Sequence, residues 1–302
     1  MKVDDSNFKF FHINKWDNGE FKGDAISTTS ELVKISSDGN LGLEEGQKFE
    51  RGGIYRFTVD VTKGNTKAVL TVEKVGKVDL PAPDIFFGND KMEVTDTDIY
   101  KSDQAFTQGQ MITVTGIDNL NEWWIDPDFF EKQSDGALKF LPINGDYRVT
   151  ANAVLKYFSV MALKDGKPAK LQDDGTGAIW AIGKGIGKPS VTSSEVGWEP
   201  SKALCLAQVA SKKYQLTLKA GETLKTSGDP EVISFKFFHQ NDWGGEFGNY
   251  ASSILVEQLK LADSGNLEMQ DNKPFEEGAV YRFTIDVTNG NANADLKVEK
   301  IN

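Results

Sequence analysis

Apolar and polar residues alternate along short stretches of the chain, and turn residues separate these stretches. Residues 55–62 read YRFTVDVT, residues 111–116 read MITVTG and residues 214–218 read YQLTL. A period of two, rich in β-branched and aromatic residues and bounded by glycine, asparagine and aspartate, is typical of half-buried β-strands. The only helix that we expect is a short one near residues 126–132. The pattern therefore predicts an all-β protein built from β-sandwiches.

One long stretch of sequence occurs twice in the chain. Residues 7–16 read NFKFFHINKW, and residues 234–243 read SFKFFHQNDW. The similarity continues downstream, since YRFTVDVT at 55–62 corresponds to YRFTIDVT at 281–288. Self-similarity of this extent indicates that one module has been duplicated within the chain.

The sequence between the two copies differs from both of them. It follows a proline-containing linker at residues 78–83, and a second glycine-rich break, GKGIGKP, occupies residues 183–189. Such breaks are typical of connections between domains. We therefore predict a partial copy of the repeated module at 1–78, a distinct immunoglobulin-like β domain at 79–184 and a complete module at 185–302.

The second copy has strand signals upstream that the first copy lacks. Gly197, Trp198 and the strand at 214–218 precede it, whereas only six residues precede Asn7. We therefore expect the first copy to lack its opening strands and the chain to be an N-terminally truncated fragment. The alternative is that another segment covers the sheet edge that would otherwise expose unpaired backbone.

Charge and cysteine content exclude several classes of function. The formal net charge is −11, which argues against a nucleic-acid partner because such partners require a basic surface. Cys205 is the only cysteine, so an internal disulfide is impossible, and its apolar neighbours predict a small buried side chain. No apolar run is long enough to form a transmembrane helix.

The residue pattern favours a protein without catalytic activity, cofactor or bound metal. The only two histidines, His12 and His239, occupy the same position of the repeat, and no metal-binding spacing accompanies them. A structural hydrogen bond at the end of a strand is the simplest interpretation, and contact with a ligand is the alternative. Duplicated sites are more typical of binding proteins than of enzymes, since repetition increases avidity.

Carboxylates leave two minor alternatives open. A glycosidase would need a pair of acidic residues, for which Glu20 and Glu246 or Asp60 and Asp286 are candidates. Their simpler interpretation is that they cap turns or face solvent. Calcium could bind hard oxygen ligands in the loops at 96–98 and 173–175, although aspartate and glycine in such clusters most often form turns.

The tryptophans are the strongest indication of a binding function. Trp16 and Trp243 follow the repeated strand within polar, glycine-containing segments, and Trp198 also lies in a predicted loop. An indole in a loop can stack on the apolar face of a sugar while neighbouring polar groups bind its hydroxyls. The alternative is that these rings close the end of a sandwich. We expect Trp180 and one ring of the adjacent pair at 123–124 to lie in the core.

The second copy resembles the repeated modules of SusE/SusF-type outer-membrane glycan-binding lipoproteins of Bacteroidota. The resemblance rests on Gly197 and Trp198, on YQLT at 214–217, on FKF at 235–237, and on Trp243 and Gly245. The stretch VTGI at 114–117 through WWIDPDFF at 123–130 resembles uncharacterised surface lipoproteins of the same bacteria. The resemblance implies tandem immunoglobulin-like or carbohydrate-binding-module-like sandwiches that hold polysaccharide on aromatic platforms.

The residues of the binding site are inferred by matching these motifs. Trp198 and Trp243 match the aromatic positions, and Lys236 is a candidate partner for hydroxyls or charge. The remaining candidates are His239, Glu246, Trp16 and His12, with Lys9 as the counterpart of Lys236 in the first copy. That copy has no equivalent of Trp198, which weakens the expectation of a second site.

We therefore predict a non-catalytic polysaccharide-binding protein of a glycan-utilisation system. The resemblance implies a location at the outer surface of the outer membrane, with attachment only through a lipid anchor outside this chain. Other outer-membrane glycan-uptake proteins are further candidate partners. The competing hypothesis is a structural or protein-interaction lipoprotein, an adhesin-like spacer, in which the tryptophans serve the core.

Overall fold

The computed structural model describes residues 8–13, 19–45, 47–50, 52–78, 82–227 and 232–302. Strands dominate these residues, so the predicted all-β fold is confirmed. Helical structure in this part of the chain is short and includes α1 (Val191–Ser194) and single 3-10 turns at Leu120–Glu122, Pro200–Lys202 and Asn291–Asn293. None of the described helices is long and apolar enough to cross a membrane. The chain divides into two compact units, residues 1–82 and 83–302.

Unit 1 contains most of the first copy of the repeat. Its strands are β1 (Ile26–Thr28), β2 (Val33–Ile35), β3 (Leu41–Leu43), β4 (Gly53–Asp60) and β5 (Ala68–Lys77). One sheet has the order β1-β5-β4, and β2 pairs with β3 in the other. The strand β1 runs parallel to β5, whereas β4 runs antiparallel to it. Buried apolar residues between these sheets, including Phe21, Val33 and Leu70, form the core.

Unit 2 begins with the middle domain. Its strands are β6 (Phe86–Phe87), β7 (Asp90–Lys91), β8 (Glu93–Asp96), β9 (Ile99–Phe106), β10 (Met111–Ile112), β11 (Val114–Thr115), β12 (Phe130–Lys132), β13 (Leu138–Phe140), β14 (Gly145–Asn152), β15 (Tyr157–Lys164) and β16 (Lys167–Pro168). The main antiparallel sheet has the order β16-β15-β14-β9-β8, and two three-stranded sheets accompany it. Buried rings that pack at centroid distances of 4.9–6.1 Å fill the interior, among them Phe87, Phe106 and Phe140.

The remainder of unit 2 holds the second copy of the repeat. Its strands are β17 (Trp180–Gly187), β18 (Glu195–Gly197), β19 (Leu204–Cys205), β20 (Ala207–Ala210), β21 (Lys213–Lys219), β22 (Ser234–Phe238), β23 (Ser252–Ile254), β24 (Leu259–Leu261), β25 (Leu267–Met269), β26 (Val280–Asp286) and β27 (Asp295–Lys300). One sheet has the order β18-β17-β22-β25-β24, with β19 also paired to β17. The other has the order β20-β21-β26-β27-β23. We call the part of unit 2 from β17 to β27 the final module.

The two copies of the repeat share both topology and core geometry. In each, a short strand runs parallel to the last strand, and the long YRFT strand runs antiparallel to it. The centroid of Phe8 lies 5.5 Å from that of Phe57, and the corresponding rings of Phe235 and Phe283 are also 5.5 Å apart. The duplicated sequence therefore folds twice into the same core, as the repeat predicts.

The glycine-rich segment at 183–189 is not a linker, and this interpretation of the sequence is wrong. Residues 180–187 form β17, a central strand that pairs with β22 on one side and with β18 and β19 on the other. Gly183 has φ +142°, and a Cβ there would lie only 2.4 Å from Cα of Phe235. These glycines therefore permit close approach of neighbouring backbones, and the predicted boundary at 184/185 falls within a strand.

The short helix expected near residues 126–132 is also absent. Residues 127–129 form a turn that leads into β12, and the amides of Phe129 and Phe130 both donate to the carbonyl of Asp126. The carboxylate of Asp126 accepts a hydrogen bond from the amide of Asp128 at 3.1 Å. Such a turn satisfies local backbone donors without a helix.

A buried cluster of charges joins the middle domain to the final module within unit 2. Nζ of Lys188 lies 2.7 Å from Oδ2 of Asp126 and 3.1 Å from Oδ2 of Asp128. Asp128 also accepts hydrogen bonds from the side chain of Gln215 and from both the amide and hydroxyl of Thr217. All three charged side chains are almost completely buried, so water is excluded from this contact between the two parts.

Candidate functional site

The polar loop that follows the repeated strand has a defined conformation in the final module. The amide of His239 donates to the carbonyl of Gly245 at 2.7 Å, and the amide of Phe247 donates to the carbonyl of Phe237 at 2.9 Å. Gly244 and Gly245 have φ of +84° and +69°, values that side chains with a Cβ rarely adopt. The two glycines therefore shape the turn that presents Trp243.

Trp243 and Trp198 form an aromatic pair. Their ring centroids are 6.3 Å apart with an interplanar angle of 26°, which is a nearly parallel, stacked arrangement. Trp243 is 50% exposed, whereas Trp198 is half-buried. Trp243 also meets the buried ring of Phe238 edge-on at 6.0 Å. One side of the pair is thus supported by the sheet, and indole surface remains accessible to a ligand.

Two predicted polar residues lie on the same side of the sheet as this pair. Lys236 precedes Phe238 by two positions in β22, so alternation directs both side chains to one face. Glu246 is directly opposite Phe238 in an antiparallel bridge, and residues opposite one another in a sheet also share a face. The structure therefore brings Trp198 and Trp243 into contact and places Lys236 and Glu246 on the face of the sheet that carries Phe238.

The contacts of His239 favour a structural role. Its imidazole packs edge-on against the buried ring of Phe247 with centroids 4.2 Å apart. Burial lowers the pKa of His239, so the neutral imidazole predominates at pH 7. Its carbonyl accepts a hydrogen bond from the amide of Leu171 at 2.8 Å, which ties the loop to the end of the middle domain.

Comparison with known families identifies the repeated module. A family model described as a domain of unknown function, DUF5121, matches residues 1–62 and 174–288, which together are more than half of the chain. The chain belongs to the DUF5121 family. A second model, also described as a domain of unknown function, DUF5125, matches residues 78–171 in the middle domain. A search of curated proteins found no match.

The two matches to DUF5121 coincide with the two copies of the repeat. The second match begins ahead of β17, the strand that pairs with β22 beneath the aromatic pair. Trp198, Lys236, Trp243 and Glu246 all lie within it. The candidate site is therefore a feature of a DUF5121 module.

The first DUF5121 copy reproduces the contacts on either side of the loop, whose residues 14–18 lie outside the described part of the chain. The amide of His12 donates to the carbonyl of Gly19 at 2.7 Å, and His12 meets Phe21 edge-on at 5.6 Å. Nζ of Lys9 donates to the carbonyl of Asp38 at 3.0 Å. Trp16 lies outside the described residues. The two copies therefore share the closing hydrogen bond and the contact between the histidine and the phenylalanine ring.

The carboxylates considered for catalysis have simpler roles. Asp60 accepts a hydrogen bond from the amide of Thr62 at 2.8 Å, and Asp286 accepts one from Thr288 at 2.9 Å. Both therefore anchor the turn after the YRFT strand, as the solvent-and-turn interpretation predicts. Glu20 occupies an isolated bridge rather than a capping position and pairs with Lys22 at 3.5 Å.

The loops considered for calcium are explained by turn hydrogen bonds. Oδ1 of Asp96 accepts from the amide of Thr97, and Oδ1 of Asp174 accepts from both the amide and hydroxyl of Thr176. In the part of the chain that the structure describes, no three acidic, histidine or cysteine side chains are arranged to hold a metal ion.

Three predictions about buried residues are confirmed. Trp180 is completely buried and donates through Nε1 to the carbonyl of Ala169 at 3.0 Å. Trp123 is buried against Phe158, while Trp124 is half-buried, so one ring of the adjacent pair belongs to the core. Cys205 is a buried free thiol.

A groove beside the buried charge cluster was not predicted from the sequence. It has a volume of about 530 Å³ and lies where the middle domain meets α1 of the final module. Hydroxyl-bearing side chains such as Ser159 and Ser193 line it, together with Asp126 and Lys188. No local sequence signal marks this feature, because its two walls come from segments that are distant in the chain.

Proposed function

We propose that the final module binds a polysaccharide on the pair formed by Trp198 and Trp243, without catalysing its cleavage. The observation that supports this proposal is the exposed, nearly parallel indole of Trp243 stacked 6.3 Å from that of Trp198. A planar apolar surface of this type fits the C–H face of a pyranose ring. Lys236 and Glu246 supply a donor and an acceptor for ring hydroxyls on the same face of the sheet.

The proposed mode of binding is shallow and individually weak. A stacked ring and a few hydrogen bonds release little free energy once the cost of association is subtracted. Long polysaccharides repeat the same sugar unit, so several molecules on one cell surface can engage one glycan strand and gain avidity. This is the role of a non-catalytic, SusE/SusF-like outer-membrane lipoprotein in a glycan-utilisation system, which is where we place the protein.

The alternative is a structural or protein-interaction lipoprotein. The edge-on packing of Trp243 against Phe238 favours this alternative, because the indole then covers a buried ring at the margin of the sheet. Under that hypothesis, loss of Trp243 lowers stability and leaves glycan binding absent. The two hypotheses are therefore separated by measuring binding and stability on the same variants.

Affinity gel electrophoresis against a panel of neutral and acidic polysaccharides tests the proposal. We expect one class of glycan to slow the migration of the wild-type chain in the gel. The same glycan should not slow the migration of Trp243→Ala. Ile254→Ala is the matched control, since it removes an exposed apolar side chain from the same module, 61% exposed in the wild type. Urea denaturation of each variant checks the fold. Retardation by no glycan, or equal retardation of wild type and Trp243→Ala, would contradict the proposal.

A further inference from the structure

The groove beside the buried charge cluster lies between two parts of unit 2. Its volume is about 530 Å³, which is in the range of pockets that hold small molecules, and such pockets often form where domains meet. One wall comes from β14 and β15 of the middle domain, and the other comes from α1, β18 and residues 201–205 of the final module. Trp198 and Trp243, both within the described residues, do not line it. The groove is therefore distinct from the aromatic pair.

Hydroxyl groups are abundant on both walls of the groove. Six lining residues carry one, namely Tyr157, Ser159, Thr192, Ser193, Ser194 and Ser201. Thr192 and Ser201 are exposed, so the hydroxyls of a ligand can replace water at both side chains. Oδ1 of Asn152 accepts hydrogen bonds from the amides of Val154 and Leu155 at 3.1 and 2.9 Å, which leaves Nδ2 as its donor group. The walls therefore offer many uncharged donors and acceptors.

The charged side chains of the lining are already paired within the chain. The pairs are Asp126 with Lys188, Glu195 with Lys225 and Lys202 with Glu199, at 2.7–3.1 Å. Among the described residues, a ligand anion would therefore meet no lining cation without a counterion, and the formal net charge of −11 would repel it. A ligand cation would find the lining carboxylates neutralised in the same way. The lining therefore fits a ligand that is polar but uncharged.

Asp126 is a fixed, buried acceptor at the groove. Its side chain is 6% exposed, and Nζ of Lys188 donates to Oδ1 at 2.8 Å and to Oδ2 at 2.7 Å. The bond from Lys188 occupies one of the two lone pairs of Oδ2, so the other can accept from a ligand hydroxyl. The charge of the neighbouring Asp128 is met by hydrogen bonds from Gln215 and Thr217. A hydroxyl bound to Asp126 forms a charge-assisted hydrogen bond, which is stronger than one between neutral groups.

Apolar surface lies beside these polar groups. Leu155, Tyr157 and Met161 line the groove and are half-buried, and the ring of Tyr157 is held edge-on against Trp124 with centroids 5.9 Å apart. A pyranose has a face of C–H groups and a rim of hydroxyls, so it needs apolar and polar contacts side by side. The groove provides both kinds of contact.

We propose that this groove binds one or two units of a neutral sugar, as a second site separate from the aromatic pair. The hydroxyl-rich walls and Asp126 bind the ring hydroxyls, and Tyr157 contacts the C–H face. Because the two sites share no residue, this proposal does not require binding at the aromatic pair. Two sites on one chain would increase its avidity for a long glycan.

Methionine methyl groups give a local test of the proposal. The chain has five methionines, of which Met161 lines the groove, and Met111 in β10 is 52% exposed and serves as the internal control. The chain, isotope-labelled at these methyls, is titrated with glucose, galactose, mannose and xylose in the NMR spectrometer, and Met161→Leu assigns the signal. We expect at least one of these sugars to shift the Met161 signal in a saturable way and to leave Met111 unmoved. Glucuronate, an anionic probe of similar size, should shift neither signal.

Substitutions that fill the groove locate the binding. Ser201→Trp and Thr192→Trp introduce a large ring at exposed positions of the lining, so each should abolish the shift of Met161 while the urea midpoint stays nearly unchanged. Ser211→Trp is the matched control, because Ser211 is an exposed serine of the same module that does not line the groove. Trp243→Ala should keep the shift of Met161. Migration in the affinity gel depends on Trp243, whereas the Met161 signal depends on the groove, so the two proposals can fail separately.

Three results would overturn the proposal. None of the four sugars could shift the Met161 signal, which would mean that the groove does not take a neutral sugar. The shift could persist in Ser201→Trp and Thr192→Trp, which would mean that the sugar binds elsewhere. The shift could be lost in Trp243→Ala, which would assign the response to the aromatic pair.

Discussion

Replacing Lys188 with methionine removes the only cation of the buried charge cluster while nearly preserving side-chain length. Nζ of Lys188 makes three short contacts of 2.7–3.1 Å to Asp126 and Asp128, and its side chain is 3% exposed. Burial lowers the pKa of Lys188, but the charges of both carboxylates more than offset this effect, so its net shift is upward. The lysine is therefore charged in the folded chain, and its loss leaves two carboxylates without a counterion.

The expected cost is large because the carboxylates remain buried. Breaking a buried ion pair by removing one partner typically destabilises a protein by about 3–5 kcal/mol. For a unit of roughly 150–250 residues, this corresponds to a decrease in Tm of about 6–20 °C. Asp128 retains its hydrogen bonds from Gln215 and Thr217, so the uncompensated charge falls mainly on Asp126.

The pH dependence of the variant provides a second readout. Burial already raises the pKa of Asp126 in the wild-type chain despite the attraction of Lys188. Without the lysine, the folded-state pKa of Asp126 rises further, so acid protonates and relieves this carboxylate. We therefore expect the destabilisation of Lys188→Met to be largest near neutral pH and to decrease as the pH is lowered.

Urea denaturation followed by circular dichroism measures both effects, with Lys202→Met as the control. Lys202 pairs with Glu199 at 3.1 Å, but both side chains are more than half exposed, so its replacement should change the free energy of unfolding by less than about 1 kcal/mol. If Lys188→Met costs no more than this control, the cluster does not join the two parts of unit 2 and the reasoning is refuted.

Three further predictions follow from individual contacts. Gly183→Ala should lower the free energy of unfolding by more than about 2 kcal/mol, because the added Cβ clashes with Phe235. Gly64 has open space around it, so Gly64→Ala should lower the free energy of unfolding by only about 1 kcal/mol. Urea denaturation of the two variants measures this difference. Burial raises the pKa of Cys205 to about 12, so a thiol reagent should modify it only after unfolding, and rapid modification of the native chain would contradict this. Burial lowers the pKa of His239, so the imidazole binds a proton more readily in the unfolded chain and the free energy of unfolding should fall as pH drops below about 6.5. His239→Gln should weaken this fall between neutral and mildly acidic pH. An unchanged dependence of stability on pH in the variant would exclude the histidine as its source.

The repeat and the alternation were sufficient to predict the all-β fold, because both are local properties of the chain. The repeated stretches at 7–16 and 234–243 already predict the same module in two copies. The position of Trp243 after this strand, within a segment rich in polar residues and glycine, likewise indicates an exposed loop. These features depend on residues that are close in sequence.

The wrong predictions concern features that depend on contacts between segments distant in the sequence. Glycines at 183, 185 and 187 are typical of a linker when considered alone, but here they allow β17 to pack closely against β22 and β18. Lys188 was taken as part of the same break, and its partners Asp126 and Asp128 lie some 60 residues away in sequence. A local pattern cannot show that three charges meet in the interior.

The stacking of Trp198 on Trp243 was likewise not determined by the sequence. Both residues were predicted to lie in loops, but their contact depends on β18 and β22 occupying opposite sides of β17 in one sheet. The sequence resemblance pointed to these positions, and the fold provides the distance and angle between the rings. Whether the pair recognises a sugar is the central claim of the proposed function.

Calorimetric titration of the wild-type chain and of Trp243→Ala with an oligosaccharide of the retarding class tests this claim most directly. We predict measurable binding by the wild type and at least about tenfold weaker binding by the variant, equivalent to about 1.4 kcal/mol, with the urea midpoint nearly unchanged. Equal affinity of the two chains, or a loss of binding that only accompanies unfolding, would contradict the account.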